Sequence, residues 1–504
     1  MSRTTNSLRN AGTAMAGQLL NNLLRFACRT AFLYTLGEEF LGISSLYSNV
    51  LTILNISELG LSTAITYSLY KPLAKDDREA IRSLMTFYKK AYRAVGLVVL
   101  ALGLALMPFL PRLMTGVTDK VNIYHYYLLY LTQTVVSYLF FAYKSALLIA
   151  DQKKYLVDLI HFTCQIAVAV AQIVVLLVLR SFFVYTVLAI CGSAAQNVVT
   201  AVLAQKRYPY IRGQAKPLDK AVKKDLFSRV YALALQKIST AVGNATDNLI
   251  IAAYISVTAV GRYDNYHMIV AIIQNAVGGV FRAMTASLGN LFASEDRQRS
   301  EFVFRSLNIL NSWVVATCSV CFLSLFQPFV TLWAGEKYLL DFSVVAVIVL
   351  NFATNYMQNV VLIFRDASGL FVRGKYRSVA NAAMNLILSL ILVRHWGLTG
   401  VFMGSIISRL VTNWWYDAWI LYRHGFGKRP WWYYGSCLLT IVLAALCFGA
   451  VMLLCGELSS GWICIMVRLA ASVGITAMVY GLLYGRTAEF RFLRDRVLGI
   501  LRRT

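Results

Sequence analysis

The sequence predicts an all-α polytopic membrane protein of about fourteen transmembrane helices, two duplicated six-helix lobes followed by two C-terminal helices. Three observations predict it. The 504 residues are 58% hydrophobic and only 14% charged, with a mean hydropathy of +0.61, against about 25% charged residues in soluble domains. Apolar stretches of roughly 20 residues, the length that crosses a bilayer, recur along the whole chain. A weak sequence match then repeats at an offset near 219 residues.

Fourteen spans follow from hydropathy: 11–35, 41–70, 94–115, 121–149, 156–179, 182–204, 230–254, 260–289, 307–333, 341–367, 379–393, 398–422, 435–455 and 461–485. The first has no small-residue cleavage site and runs on into a second span, so it reads as a retained helix. An even number of spans puts both termini on one side. The net charge of +25 says which. Of 48 Lys and Arg, 34 fall in the segments that share a side with the N-terminus and 6 in those opposite. By the positive-inside pattern both termini are cytoplasmic. Charges confined to short loops also argue against nucleic acid as a partner.

The longest polar stretches are the basic loops 71–93 and 205–229. Each alternates charge with apolar residues (Ile81, Leu84 and Phe87 in the first), which predicts an amphipathic helix on the anionic leaflet. Trp431 to Tyr434 read as an aromatic anchor at the inner interface. The nine cysteines sit mostly in apolar runs, and Cys318 and Cys321, a CxxC in mid-span, read as packing residues.

The repeat pairs Leu41-Gly42 and Tyr47 with Val260-Gly261 and Tyr266, then Gly60, Thr66, Ser68 and Leu69 with Gly279, Thr285, Ser287 and Leu288. Pro108-Phe109 matches Pro328-Phe329, each reading as the end of a third span. Lys144-x-Ala146 matches Arg365-x-Ala367. Six helices per copy give both copies the same topology, related by an axis along the membrane normal. The organisation expected is an N-lobe 1–204, a basic linker 205–229, a C-lobe 230–422, two extra spans in 423–485 and a basic tail 486–504.

Polar residues inside spans cost roughly 2.5–3.5 kcal/mol when charged and normally face a cavity. Span 1 carries Gln18, Asn22, Arg25 and Arg29, whose spacing puts them on one helical face. Span 7 carries Lys237, Asn244, Asp247 and Asn248; the 219 offset pairs Gln18 with Lys237, Arg25 with Asn244 and Arg29 with Asn248. Such groups either bind helices together or line a water-filled space. Two arginines four residues apart, with no acid in their span, favour a cationic cavity. Arg282, Arg409 and Arg468 are candidate additions, with Asp417 an alternative partner for Arg409. Arginine offers a planar fork of donors that fits phosphate oxygens, so the expected cargo has an anionic head group such as a pyrophosphate. Glu58 and Asp247 are the deepest acids; either binds a coupling proton or cation or neutralises an arginine. His161 and His267 read as hydrogen-bonded packing residues. No Walker loop, HExxH or GxSxG occurs, so no enzyme, metal or cofactor is expected. Transport would draw on a proton or sodium gradient, the cargo's own gradient or its consumption downstream.

Fourteen helices, duplicated six-helix lobes, a basic first helix and two extra C-terminal spans resemble the MOP exporter superfamily, and within it the Wzx-type polysaccharide flippases. Glu58-Leu-Gly-Leu-Ser-Thr-Ala-Ile-Thr-Tyr-Ser-Leu-Tyr-Lys-Pro-Leu at 58–73 is similar to the second-helix signature of capsule and exopolysaccharide members. So are Thr246-Asp-Asn-Leu-Ile-Ile and Ala259-Val-Gly-Arg-Tyr-Asp-Asn-Tyr at 259–266. The resemblance implies movement of undecaprenyl-pyrophosphate-linked oligosaccharide units across a bacterial inner membrane for capsule, exopolysaccharide or O-antigen assembly. Membrane lipids and the glycosyltransferases and polymerase of the pathway are the implied partners. The prenyl tail would stay in lipid near spans 13 and 14. The first-helix arginine pattern of the related lipid II flippase is not reproduced residue for residue. The alternatives are a lipid II or teichoic-acid precursor flippase, a multidrug/cation antiporter of the same fold and, less well supported, a membrane-embedded polymerase, which the short outer loops disfavour.

Overall fold

A computed structural model describes residues 3–54, 66, 68–70, 72–73, 75–113, 122–139, 142–151, 153–211, 217–218, 246–283, 296–368, 370, 377–456 and 461–501. Among these, every regular element is helical. The chain divides into two compact units, Met1–Gly261 and Arg262–Thr504. Eight of the helical runs are long and apolar enough to cross a membrane. One of them, Arg377–Phe426, is 50 residues long and turns back on itself at Gly397, whose φ of 54° suits only a residue without a Cβ. It therefore supplies two spans. The protein is an all-α, multi-pass membrane protein.

The first unit opens with α1 (Arg3–Thr35) and α2 (Gly37–Leu54). Next come α3 (Arg78–Leu106) and α4 (Ile123–Leu139), then the short α5 (Ser145–Ala150), and finally α6 (Lys154–Val178) and α7 (Phe182–Arg207). α1 packs along α6, and α4 lies against α3 and α7. Asp77 caps α3 by accepting from Ala80 N at 3.0 Å. This helix corrects the reading of the first basic loop. Residues 78–93 are not a separate surface helix but the first turns of span 3, because Ile81, Leu84, Met85 and Tyr88 are buried inside the unit and gain more there than on a leaflet. Beside them, Arg82 Nε donates to Tyr210 O at 2.8 Å and Arg78 lies over the Tyr210 ring. Tyr208 donates to Asp151 at 2.5 Å; burial, then that carboxylate, pushes its phenol well above the usual range. The second basic loop lies largely outside the described residues.

α8 (Val257–Ala283) leads into the second unit, followed by α9 (Arg297–Trp333), α10 (Phe342–Met357), α11 (Asn359–Ala367), α12 (Arg377–Arg409), α13 (Trp415–Ile420), α14 (Trp431–Cys455), α15 (Trp462–Tyr484) and α16 (Ala488–Leu501). The 37 residues of α9 span about 55 Å at 1.5 Å each, more than a bilayer core. Its polar end carries the excess: Glu301, buried, takes Arg305 at 2.6 Å and Lys428 at 2.5 Å. Along the rest of α9, α14 and α15 are fixed by hydrogen bonds: Asn308 to Ser436 at 2.9 Å, Tyr480 to Ser312 O at 3.2 Å, Thr317 with Thr476 at 3.0 Å and Ser324 with Ser472 at 3.1 Å. In hydrocarbon each such hydroxyl needs a protein partner.

The repeat has a physical counterpart in each unit. Tyr47 and Tyr266 are both fully buried. The Tyr47 hydroxyl donates to Ile123 O at 2.6 Å where α4 begins. The Tyr266 hydroxyl accepts from Leu340 N at 3.2 Å, two residues before α10. Each tyrosine thus ties the second helix of its copy to the start of the fourth. The prolines differ. Pro108 lies in a 3₁₀ turn after α3, whereas Pro328 lies inside α9, which continues to Trp333.

Candidate functional site

The polar face of α1 is set by what the other face packs against. Cys28, buried, makes a weak thiol bond to Gln172 of α6 at 4.0 Å. Gln18, Asn22, Arg25 and Arg29 lie roughly a sixth to a third of a turn round from it at 100° per residue. Gln18 and Arg25 are exposed, Asn22 and Arg29 half-buried, and Gln18 Nε2 donates to Asn22 Oδ1 at 3.1 Å. Exposed amide and guanidinium groups on a helix that crosses lipid must meet water or a polar ligand. Higher on the same stripe, Arg29 Nη2 donates to Gly261 O at 3.4 Å. Asn248, the repeat partner of Arg29, is buried, and Asp247 beside it is half-buried. Lys237, Asn244 and Glu58 fall outside the described residues, as does the side chain of Arg282.

The second unit carries a polar face that sequence reasoning found only in Arg409. Its Nη1 donates to Asn351 O at 3.1 Å, Asn351 Oδ1 at 2.9 Å and Thr354 Oγ1 at 3.1 Å. One turn on, Asn355 of α10 is exposed, and so is Asn275 of α8. The two helices are joined where Tyr356 donates to Gln274 O. The signal was present as asparagines four residues apart in span 10, but an isolated asparagine in a span is more often helix glue.

Asp417, fully buried, is held by Arg365 at 2.7 Å and by Arg377. It sits on a short α-helical stretch between two π-helical segments, Leu410–Trp414 and Leu421–Phe426, a geometry that re-aims side chains and often marks functional positions. Arg365 is the repeat partner of Lys144, which is buried in the first unit. The cluster carries one more positive charge than negative.

Arg468 does something else. It donates to Ser324 O at 3.3 Å, Cys455 O at 3.2 Å and Gly456 O at 3.4 Å. Ser324 is four residues before Pro328, whose missing N–H leaves that carbonyl without a helix donor. Cys455 and Gly456 end α14, where carbonyls are also orphaned. Arg468 fills gaps in the backbone ladder, so it does not belong to the cationic stripe. His161 Nδ1 lies 3.1 Å from Gln196 Oε1, a packing bond, and His267 is exposed beside Tyr263.

Comparison with known proteins adds a family and a fold. A family model described as "Polysaccharide biosynthesis protein" matches residues 7–285, more than half of the chain. No curated protein matches. Among solved structures, the lipid II flippase MurJ in an inward closed conformation is similar with a TM-score of 0.67 and 12% identity, covering 93% of this chain and 98% of its own. An inward-facing multidrug-resistance MATE transporter of the MOP superfamily gives 0.62 and 14%, with 87% and 98% covered. A variant of the Vibrio cholerae MATE transporter VcmN gives 0.56 and 12%, with 85% and 99% covered. At such identities the likeness is one of fold.

Proposed function

The chain belongs to the polysaccharide biosynthesis protein family, and from that premise we propose that it flips undecaprenyl-pyrophosphate-linked oligosaccharide units from the inner to the outer leaflet of the cytoplasmic membrane by alternating access. The observation that carries this reading is the polar stripe of α1, with Arg25 exposed and Arg29 half-buried. A guanidinium there stays charged and presents paired donors to phosphate, while the uncharged Gln18 and Asn22 suit sugar hydroxyls. Lys237, Asn244, Asn248 and Arg282 complete the set in this reading. The positive sign disfavours the cationic cargo of a drug antiporter. The likeness to a lipid II flippase supports a polyprenyl-pyrophosphate carrier and makes another glycolipid of that kind, lipid II or a teichoic-acid precursor, the second reading.

In this mechanism no bond is made or broken. Both termini lie in the cytoplasm, the sugar and pyrophosphate cross within the protein, and the prenyl chain stays in lipid. Glu58 or Asp247 takes the coupling proton or sodium ion. The reading is tested in proteoliposomes with a labelled polyprenyl-pyrophosphate oligosaccharide. Arg25→Ala with Arg29→Ala is expected to abolish flipping while leaving insertion intact; unimpaired flipping by the double variant refutes the cationic site.

A further inference from the structure

At the end of α2 remote from the basic loop 71–93, Gly42 meets the first turn of α8. A Cβ on Gly42 would stand 2.0 Å from Val257 O, and a Cβ on Gly261 would stand 2.8 Å from Glu38 O and 3.0 Å from Gly42 N. These four residues are two repeat pairs, since Gly42 and Gly261, like Glu38 and Val257, are separated by the same 219 residues. The contact is therefore reciprocal. Each glycine aims the Cα–H that replaces its Cβ at the carbonyl oxygen four residues before the other glycine, so a local two-fold axis passes between them. Such paired Cα–H···O contacts let helix backbones touch. Neither backbone can yield to a methyl group as a flexible side chain would. Arg29 is attached to the same place, donating to Gly261 O at 3.4 Å.

We propose that Gly42 and Gly261 form a two-fold seat that closes the pathway at the end opposite the basic loops, and that Arg29 is its positioning residue. The proposal rests on the alternating-access reading above and adds to it a point at which the pathway is shut. It also gives Arg29 a second duty. A phosphate that draws the guanidinium away from the Gly261 carbonyl loosens the seat, so arrival of cargo and release of the closed end become one event. Arg25, one turn below and exposed, has no such link to Gly261 in the described contacts and serves the cargo alone.

The test uses the full chain in vesicles, with the nine native cysteines replaced by alanine and Val257→Cys as reporter. Val257 is fully buried, and its Cγ1 lies 2.8 Å from the Cβ position of Gly42. An impermeant maleimide applied from the side opposite the basic loops is expected to label this thiol slowly. Gly42→Ala should speed labelling by about ten-fold, the shift expected when two Cα–H···O contacts and a close backbone approach are lost. Gly261→Ala is the milder second variant, with more room for its methyl group, in case Gly42→Ala does not insert. Gly449→Ala, whose methyl meets nothing within 4 Å, should not change the rate. Arg29→Gln should raise it and Arg25→Gln should leave it. Wild-type protection in both seat variants overturns the seat, and wild-type protection in Arg29→Gln overturns its positioning role. The labelling needs no cargo. A chain that opens on these substitutions yet moves no polyprenyl-pyrophosphate oligosaccharide thus contradicts the transport reading and leaves the seat standing.

Discussion

Arg468 and Pro328 provide a prediction that can be worked to a number. If Arg468 donates to Ser324 O because Pro328 cannot, then restoring the N–H with Pro328→Ala gives that carbonyl a helix partner and makes the arginine partly redundant. Arg468→Met alone is a poor test, since it also removes a charge worth roughly 2.5–3.5 kcal/mol on insertion scales, with the opposite sign. A double-variant cycle cancels that contribution because it enters both backgrounds equally. What remains is the one bond to Ser324 O. At 3.3 Å it belongs at the lower end of charged hydrogen bonds, and interhelical bonds measured in membranes average about 0.6 kcal/mol with a maximum near 1.7. A coupling of about 1 kcal/mol is expected, with Arg468→Met more damaging beside Pro328 than beside an alanine. On the scale of a 243-residue unit that is about 2–4 °C in melting temperature, readable by thermal unfolding in detergent. Equal effects of Arg468→Met in both backgrounds would falsify the assignment and return Arg468 to the cationic stripe.

Other expectations follow from the same structure. Asp417→Leu removes the carboxylate from buried Arg365 and half-buried Arg377 and should cost about 3–5 kcal/mol; adding Arg365→Met should recover part of it in the same unfolding measurement. Tyr47→Phe and Tyr266→Phe should each cost about 0.5–1.5 kcal/mol and do so additively, since each hydroxyl bonds within its own unit; strong coupling between them would contradict the independent placement. Glu301→Gln should weaken the tie from Lys428 to α9, detected as faster proteolysis near residue 428 with insertion unchanged. Equal proteolysis in the two chains would show that the ion pair does not hold that segment.

Much of this architecture was legible in the sequence because lipid imposes few solutions on a backbone, and composition reports them directly. The duplication was legible because the residues that keep a shared geometry are those with little freedom to vary. Gly42 and Gly261 must lack a Cβ, and Tyr47 and Tyr266 must reach a particular backbone atom. Side-chain partners were less accessible. Asp417 was a candidate for Arg409 on distance along the chain, yet it is held by Arg365 and Arg377. The π-helical turns on either side of it shift the register that simple helical spacing assumes. The segment 78–93 read as a surface helix because its charge hid the burial of Ile81 and Leu84. Arg468 looked like part of a cationic lining because the need it meets, a carbonyl freed by a proline 140 residues earlier, is visible only in three dimensions. The common face of Gln18, Asn22, Arg25 and Arg29 could be read from the sequence because it depends on helix geometry alone.

The hydrogen-bonded seam along α9 also sets the second copy apart from the first. With the 220-residue offset that pairs Pro108 with Pro328, Thr317 corresponds to Leu97 and Ser324 to Leu104. In the first copy those leucines are 60% and 45% exposed, a surface suited to lipid chains. In the second the same stations are hydroxyls answered by Thr476 and Ser472 of α15. Matching helices of the two copies thus have two solvents: oil for one, a neighbouring helix for the other. The last pair of spans is therefore tied to the second copy, because removing it would take away the partners that Thr317 and Asn308 find on α15 and α14. Nor are the copies interchangeable, because leucines at 317 and 324 would remove both hydroxyl contacts that join α9 to α15.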